Sequence, residues 1–321
     1  MSKLLQHIQT IQLYSCLKIY GFYYIKNLKI YLTRNPKWLF MYIFGRFQIV
    51  RSIMVFFSKY RAANNYQEKN SLYDNINVND VVESLKKDSL YLGINLPPSI
   101  LNEILDFAKH ANCYGDGNLQ YGFSYSEKEL AQKKYGKVFR LGRYFNSSLL
   151  CPAIQKLESD PKLLQIAAKY LEAEPLHTGT RLWWSFAGQA KAYEKTRFAQ
   201  VFHYDLDDYR CLKFFFYLTD VDLSDGPHVC ILKSHNKKKL THILSLSKVH
   251  SDKNIIDYYG AESEVTICGK AGFGFAEDPF CFHKGKPPTS RDRLILEIQF
   301  SINNYGVSGD IVDPLSLKTK K

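Results

Sequence analysis

His203 and Asp205 stand two residues apart at the end of an apolar-rich run, Gln-Val-Phe-His-Tyr-Asp. In an extended chain that spacing puts both side chains on one face. An imidazole and a carboxylate so placed chelate a divalent cation. They supply two of the three ligands in the two-histidine, one-carboxylate set that leaves coordination positions open on non-haem iron. His283, in Phe-Cys-Phe-His-Lys-Gly, is the natural third donor. Cys281 shares its strand parity, but a small buried core residue is the better reading for that thiol than a soft ligand. Taken singly, His203 and Asp205 make an ordinary strand-end pair and His283 a polar loop residue. The metal reading rests on the set and its order.

The surrounding segments resemble the phytanoyl-CoA dioxygenase-like family of iron(II)/2-oxoglutarate oxygenases. Gln200 to Asp208 is similar to that family's Gln-x-x-His-x-Asp-x-Asp-Asp, and Leu212 to Asp222 to its following strand and turn. Asp225-Gly226-Pro227 to Ser234-His235 resembles its Gly-Pro hairpin ending in Gly-Ser-His, with Lys233 where the family usually has Gly. The resemblance covers roughly residues 79 to 301. It implies a catalytic centre of His203, Asp205 and His283 holding Fe(II), with 2-oxoglutarate chelating the metal and O2 taking a remaining position. It also implies decarboxylation to succinate and CO2 coupled to oxidation of a small organic substrate.

The far carboxylate of 2-oxoglutarate then needs a fixed cation. Arg293 suits it, because a guanidinium matches a carboxylate with two parallel hydrogen bonds and stays charged when buried. Arg291 has the same parity but adjoins Asp292 at the end of a polar loop, where solvation is expected. Gln200 and Lys213 are expected to touch the cosubstrate or support the ligands. Asp207, Asp208 and Asp225 read as loop or turn formers, and His228 and His235 as outside the ligand set. Trp183 and Trp184 alternate across a strand, one toward the cavity and one toward the helices. In related halogenases a small residue vacates the carboxylate position, so Asp205 points to hydroxylation or a related oxidation. Two readings stay open beside it: a catalytically silent cupin-like binding protein docked to a membrane or partner, and a metal-dependent isomerase or hydrolase. The substrate is not readable, because the family handles acyl thioesters, amino-acid derivatives, natural products and sugars.

These donors need a rigid frame. From His177 the chain alternates β-type runs over Thr180 to Phe186, Arg197 to His203, Leu212 to Val221, Val229 to Leu232, Glu264 to Cys268, Gly272 to Phe275 and Arg293 to Ser301. Short strands bounded by Gly, Pro and Asp predict a double-layered barrel or jelly roll, and the resemblance implies the double-stranded β-helix. Helices are predicted over Val81 to Leu90, Ile100 to Ala111, Pro152 to Leu157 and Pro161 to Leu171, the last capped by Asp160 with Pro161 in the first helical position. Gly115 to Ser126 reads as a loop that could lie over a site. The fold class is therefore α+β with a mainly β, cupin-like core braced by helices. An oxygenase domain is expected over residues 68–321, behind a basic helical extension over 1–67.

A chain of 321 residues, 45% hydrophobic and 15% aromatic, can bury a sizeable core. Its seven scattered cysteines contain no Cys-x-x-Cys pair, which favours a reducing, cytoplasmic setting. The net charge of +12 is concentrated. No Asp or Glu precedes Glu68, while ten of the 43 Lys and Arg do, leaving 33 basic against 31 acidic residues beyond. Arg46 and Arg51 interrupt the Trp38 to Phe57 stretch, which argues against a membrane span. The beginning lacks the pattern of a secretory signal. Such a basic amphipathic segment can lie on an anionic membrane surface, or pack its apolar stripe on the body or a second copy with its cations solvated. Nucleic acid is disfavoured, since no recognition motif accompanies the charge. Arg61 to Asn77 reads as a polar linker, and oligomeric state is not readable.

Overall fold

The computed structural model describes residues 35–58, 70–189, 194, 198–245, 248–306 and 309–319. Expectations for residues 1–34 and for most of the linker lie outside the described residues. The strands are β1 Leu90–Leu92, β2 Asn112–Gly115, β3 Gly122–Ser124, β4 Leu141–Tyr144, β5 Leu176–Ser185, β6 Cys211–Tyr217, β7 His228–Ile231, β8 Glu264–Ile267, β9 Gly274–Glu277, β10 His283–Gly285 and β11 Arg293–Ser301. They form an eight-stranded sheet ordered β1-β9-β6-β11-β5-β4-β2-β3 and a three-stranded sheet ordered β10-β7-β8. Every pairing within them is antiparallel.

Strand β11 runs between β5 and β6 and is buried at every position. Its register sets Arg293 opposite Ser185, Ile295 opposite Trp183 and Glu297 opposite Arg181 on one side, and Gln299 opposite Lys213 on the other. Because side chains alternate across a strand, the odd-numbered residues Arg181, Trp183, Ser185, Lys213, Phe215, Arg293, Ile295 and Glu297 all reach one cavity. The even-numbered Leu182, Trp184, Leu212, Phe214, Phe216, Leu294, Leu296 and Ile298 enter a core with Leu85, Ile104, Ile154 and Ile166 from the bracing helices. A further apolar cluster joins Phe215, Tyr217, Phe275 and Ile295 of the large sheet to Cys230 and Ile267 of the small one. The two sheets thus pack face to face, as a jelly-roll-like layer pair requires.

The bracing helices are Val78–Asp88, Pro98–His110, Pro152–Glu158 and Pro161–Leu171. Asp160 caps the last as expected, accepting from the Lys162 and Leu163 amides at 2.9 and 3.1 Å. It also accepts from the Leu72 amide at 2.7 Å, which ties the end of the linker to the body.

Two expectations are corrected. The stretch to His203 forms no strand among its described residues. Ala199 turns the backbone to φ +56, and only single bridges follow, Phe202 to His250 and His203 to His283. The segment Gly115 to Ser126 is a hairpin end, not a loop throughout. Its aromatic Phe123 stacks on Phe139 at 5.3 Å between ring centres, and that burial holds β3 against β2. Asp116 and Gly117 at its turn do border the cavity.

The helices Pro36–Phe44 and Gln48–Ser58 belong to the same body. Trp38 and Met41 pack with Phe202, Tyr204, Val229, Phe280 and Phe282, contacts that contribute roughly 1.5–3 kcal/mol per fully buried side chain. Arg46 and Arg51 are not solvated. The Arg46 guanidinium donates to the Ile243 and Ser245 carbonyls at 3.3 and 3.1 Å, and Arg51 lies 3.8 Å over the Phe280 ring.

Candidate metal centre

His203 and His283 are joined through their backbones. The His203 amide donates to the His283 carbonyl at 3.0 Å, and the His283 amide returns a bond of 2.8 Å. Their rings therefore meet, with centres 4.4 Å apart. Each Nδ1 lies against the carbonyl two residues before it: His203 against Val201 at 3.0 Å, His283 against Cys281 at 3.1 Å. A carbonyl only accepts, so each Nδ1 carries the proton and each Nε2 keeps its lone pair for a metal. Asp205 completes the set, its amide held by the Pro279 carbonyl at 2.8 Å. Its Oδ1 lies 3.8 Å from His203 Nε2 and its Oδ2 3.7 Å from His283 Nε2. One donor atom from each of the three falls within 4.8 Å of the others, a cluster sized for one ion.

The charges around this set favour metal-ready forms. Burial, seconded by His283, lowers the His203 pKa to about 4, so the ring is neutral at pH 7. Burial pushes the Asp205 carboxyl up, but Lys213 and the two imidazoles outweigh it and hold it well below the usual carboxylate range. Lys213 is the nearest cause, with Nζ 2.6 Å from Asp205 Oδ2 and 3.4 Å from Glu297 Oε1. Burial opposes the lysine's charge, and Asp205, Glu297 and Asp207 more than restore it.

Arg293 lies in the same cavity, 5% exposed. Its Nη1 donates to the Gly226 carbonyl and its Nη2 to Ser185 Oγ at 3.1 Å, while its buried Nε has no partner among the described residues. Among the described residues no carboxylate pairs with it, and burial lowers its pKa. Gly226 has φ +75, and a side chain there would meet the Lys286 carbonyl at 2.5 Å, so glycine is what lets this turn present its carbonyl to the guanidinium. Arg291 instead turns outward, bonding Asp225 through Nε at 3.1 Å and pairing with Asp222.

The cavity holds about 440 Å³, within the range of small-molecule sites. Gln200 lines it with a buried Oε1 that has no hydrogen-bond partner among the described residues. Trp183 faces it, while Trp184 points to the helix side, stacked on Tyr125 and donating to Tyr144 at 3.0 Å. Asp208 is not a simple turn former. It is buried and accepts from the Asn303 amide at 2.6 Å and from Tyr305 at 3.2 Å, pinning the segment after β11. Asp225 is likewise fully buried, under Arg291. Cys281 is buried, and its thiol donates to Glu277 at 2.9 Å.

Glu277 is the residue that sequence reasoning missed. Fully buried on β9, it places Oε2 2.6 Å from His228 Nε2 and Oε1 3.4 Å from His283 Nδ1. Burial raises its carboxyl, but His228 and His283 pull it down to about 2. An anion behind a ligating imidazole orients the ring and strengthens it as a donor. The one sequence signal was a carboxylate pair, Glu277-Asp278, set within an otherwise apolar run, Gly-Phe-Ala-Glu-Asp-Pro-Phe.

Comparison with protein-family models finds no match, and comparison with curated proteins finds none either. Solved structures do resemble the chain. The epimerase SnoN in complex with Fe3+, alpha ketoglutarate and nogalamycin RO aligns at 13% identity and TM-score 0.48, over 70% of this chain and 83% of its own. The alpha ketoglutarate dependent carbocyclase SnoK from nogalamycin biosynthesis aligns at 12% and 0.48, over 72% and 86%. HygX from Streptomyces hygroscopicus, with nickel, 2-oxoglutarate and hygromycin B bound, aligns at 10% and 0.47, over 69% and 86%.

Proposed function

We propose that the chain is an iron(II)- and 2-oxoglutarate-dependent oxygenase of the phytanoyl-CoA dioxygenase-like kind, acting on a small organic substrate with O2. One observation carries the reading: three converging candidate metal donors share a cavity with a buried guanidinium that no carboxylate among the described residues neutralises. An unpaired buried cation is costly unless a ligand completes it. A dianionic keto acid would do so: Arg293 would hold its distal carboxylate, and His203, Asp205 and His283 would hold the metal that its keto-acid end binds. Gln200, with its unpartnered Oε1, lines the same cavity. Bound there, Fe(II) and 2-oxoglutarate would activate O2, the four-electron oxidant, with two electrons drawn from the keto acid's decarboxylation to succinate and CO2 and two from the substrate.

The chain's own residues bind, orient and exclude water. The Val201 and Cys281 carbonyls hold the Nδ1 protons, so both rings present Nε2. Lys213 grips one oxygen of Asp205 and keeps the carboxylate ionised. Trp183, Phe198, Phe215 and Ile295 line the cavity with apolar surface that keeps bulk water off the substrate carbon. A carboxylate at position 205 leaves no ligand gap for halide, which fits hydroxylation or a related oxidation.

Anaerobic titration of the full chain with Fe(II) and then 2-oxoglutarate tests the proposal. A visible absorption band from the metal–keto acid pair is expected, lost in His283→Ala. On admitting air, succinate should form even without substrate. Folded, iron-loaded protein that gives neither band nor succinate would sink the oxygenase reading. It would leave a binding protein, or an isomerase or hydrolase on the same donors.

A further inference from the structure

The helices Pro36–Phe44 and Gln48–Ser58 commit one face to the body and leave the other bare. Trp38, Met41, Arg51 and Val55 point inward. Phe40, Phe44, Ile49, Ile53, Phe56 and Phe57 point out, with Ile49 76%, Phe56 62% and Phe57 69% exposed. Scattered exposed apolar residues are ordinary, but so many large ones on two consecutive short helices form a patch that calls for an occupant. The sequence before Glu68 is free of acid and carries ten cations; Arg46 and Arg51 are turned into the body, and the other eight include Lys37 at the start of the first helix and Lys59 and Arg61 just after the exposed phenylalanines.

The two properties together select among occupants. A second copy meeting this face would bring two acid-free, strongly cationic segments together, and like charges repel. Nucleic acid would use the cations and leave the phenylalanines without a role. An anionic bilayer takes both, since aromatic and aliphatic side chains enter the acyl boundary while Lys and Arg meet the headgroups. Among the described residues no helix is long and apolar enough to cross a membrane, and the buried Arg46 and Arg51 anchor the pair to the body instead. We propose that these two helices seat the protein on an anionic membrane surface, lying in the headgroup plane with the outward phenylalanines and isoleucines inserted.

Co-sedimentation of the full chain with vesicles of phosphatidylcholine, with and without phosphatidylserine, tests this. Recovery is expected with the serine lipid, roughly tenfold or more weaker without it or in high salt. The variant Ile49→Ser/Phe56→Ser/Phe57→Ser should bind roughly tenfold or more weaker, whereas Phe56→Leu/Phe57→Leu should keep its affinity. All substituted positions are exposed, so thermal unfolding and Fe(II) binding of both variants should match the parent protein. A parent chain that stays in the supernatant with both vesicle types overturns the proposal. So does a serine variant that keeps its vesicle recovery, whether or not it turns a dimer into a monomer by light scattering.

Discussion

The two faces of the sheet formed by β5, β6 and β11 are made by the same strands and are opposite in kind. One carries Arg181, Lys213, Arg293 and Glu297 around a cavity; the other carries Leu182, Phe214, Leu296 and Ile298 into a helix-covered core. Residues one step apart in sequence, such as Ile295 and Leu296, therefore answer to different demands. The helix side stores stability through close packing, and the cavity side spends some of it to hold charges out of water. Stability and function are separable here at single-residue resolution.

The largest effect should come from the packed side. Leu296→Ala should cost about 2–5 kcal/mol of unfolding free energy, read by urea denaturation. Fe(II) affinity of the folded protein should be unchanged; a change in affinity would mean that the faces are coupled. The next test probes the energetic cost of burying the His203 imidazole. His203 titrates near 4 when folded and near 6.5 when unfolded, so the unfolded chain takes up the proton first. Metal-free protein should then lose about 3 kcal/mol as pH falls from about 6.5 to about 4. Urea midpoints across that window should show the slope, and His203→Gln should flatten it. The smallest effect has the more telling sign. Arg293→Met removes an unpaired buried charge and should stabilise the fold by about 0.5–2 kcal/mol, while weakening 2-oxoglutarate binding in the anaerobic titration. A lower melting temperature would mean that the guanidinium is structural rather than held for a ligand.

Much of this frame was legible. Arg293 to Ser301 reads as a strand with the bounds of β11, and Pro161 to Leu171 as a helix with the bounds observed, because a β-rich run and an Asp-Pro start are local signals. The three donors and Arg293 could be picked out by type, spacing and resemblance, and the fold brings them to one cavity. What was not legible depends on distant chain. The approach of His203 to its partner comes from a bridge to His283, eighty residues on, and not from a strand of its own. Glu277 acquires meaning only when β9 sets it behind His228 and His283. Lys233 shows the converse. Its φ of +64 is the left-handed conformation that a glycine adopts without strain, at the position where the resembled motif has glycine.

Phe280 links the two ends of the molecule. It follows Pro279, whose carbonyl holds Asp205, and precedes Cys281, whose carbonyl holds His283. Its ring lies under the guanidinium of Arg51, from the second N-terminal helix. Deleting the N-terminal residues through Ser58 would thus pull out a strut from beneath the turn that aims two of the three candidate donors. Anything that bends that helix, a lipid surface included, has a mechanical route of a few bonds to the spacing of His203, Asp205 and His283.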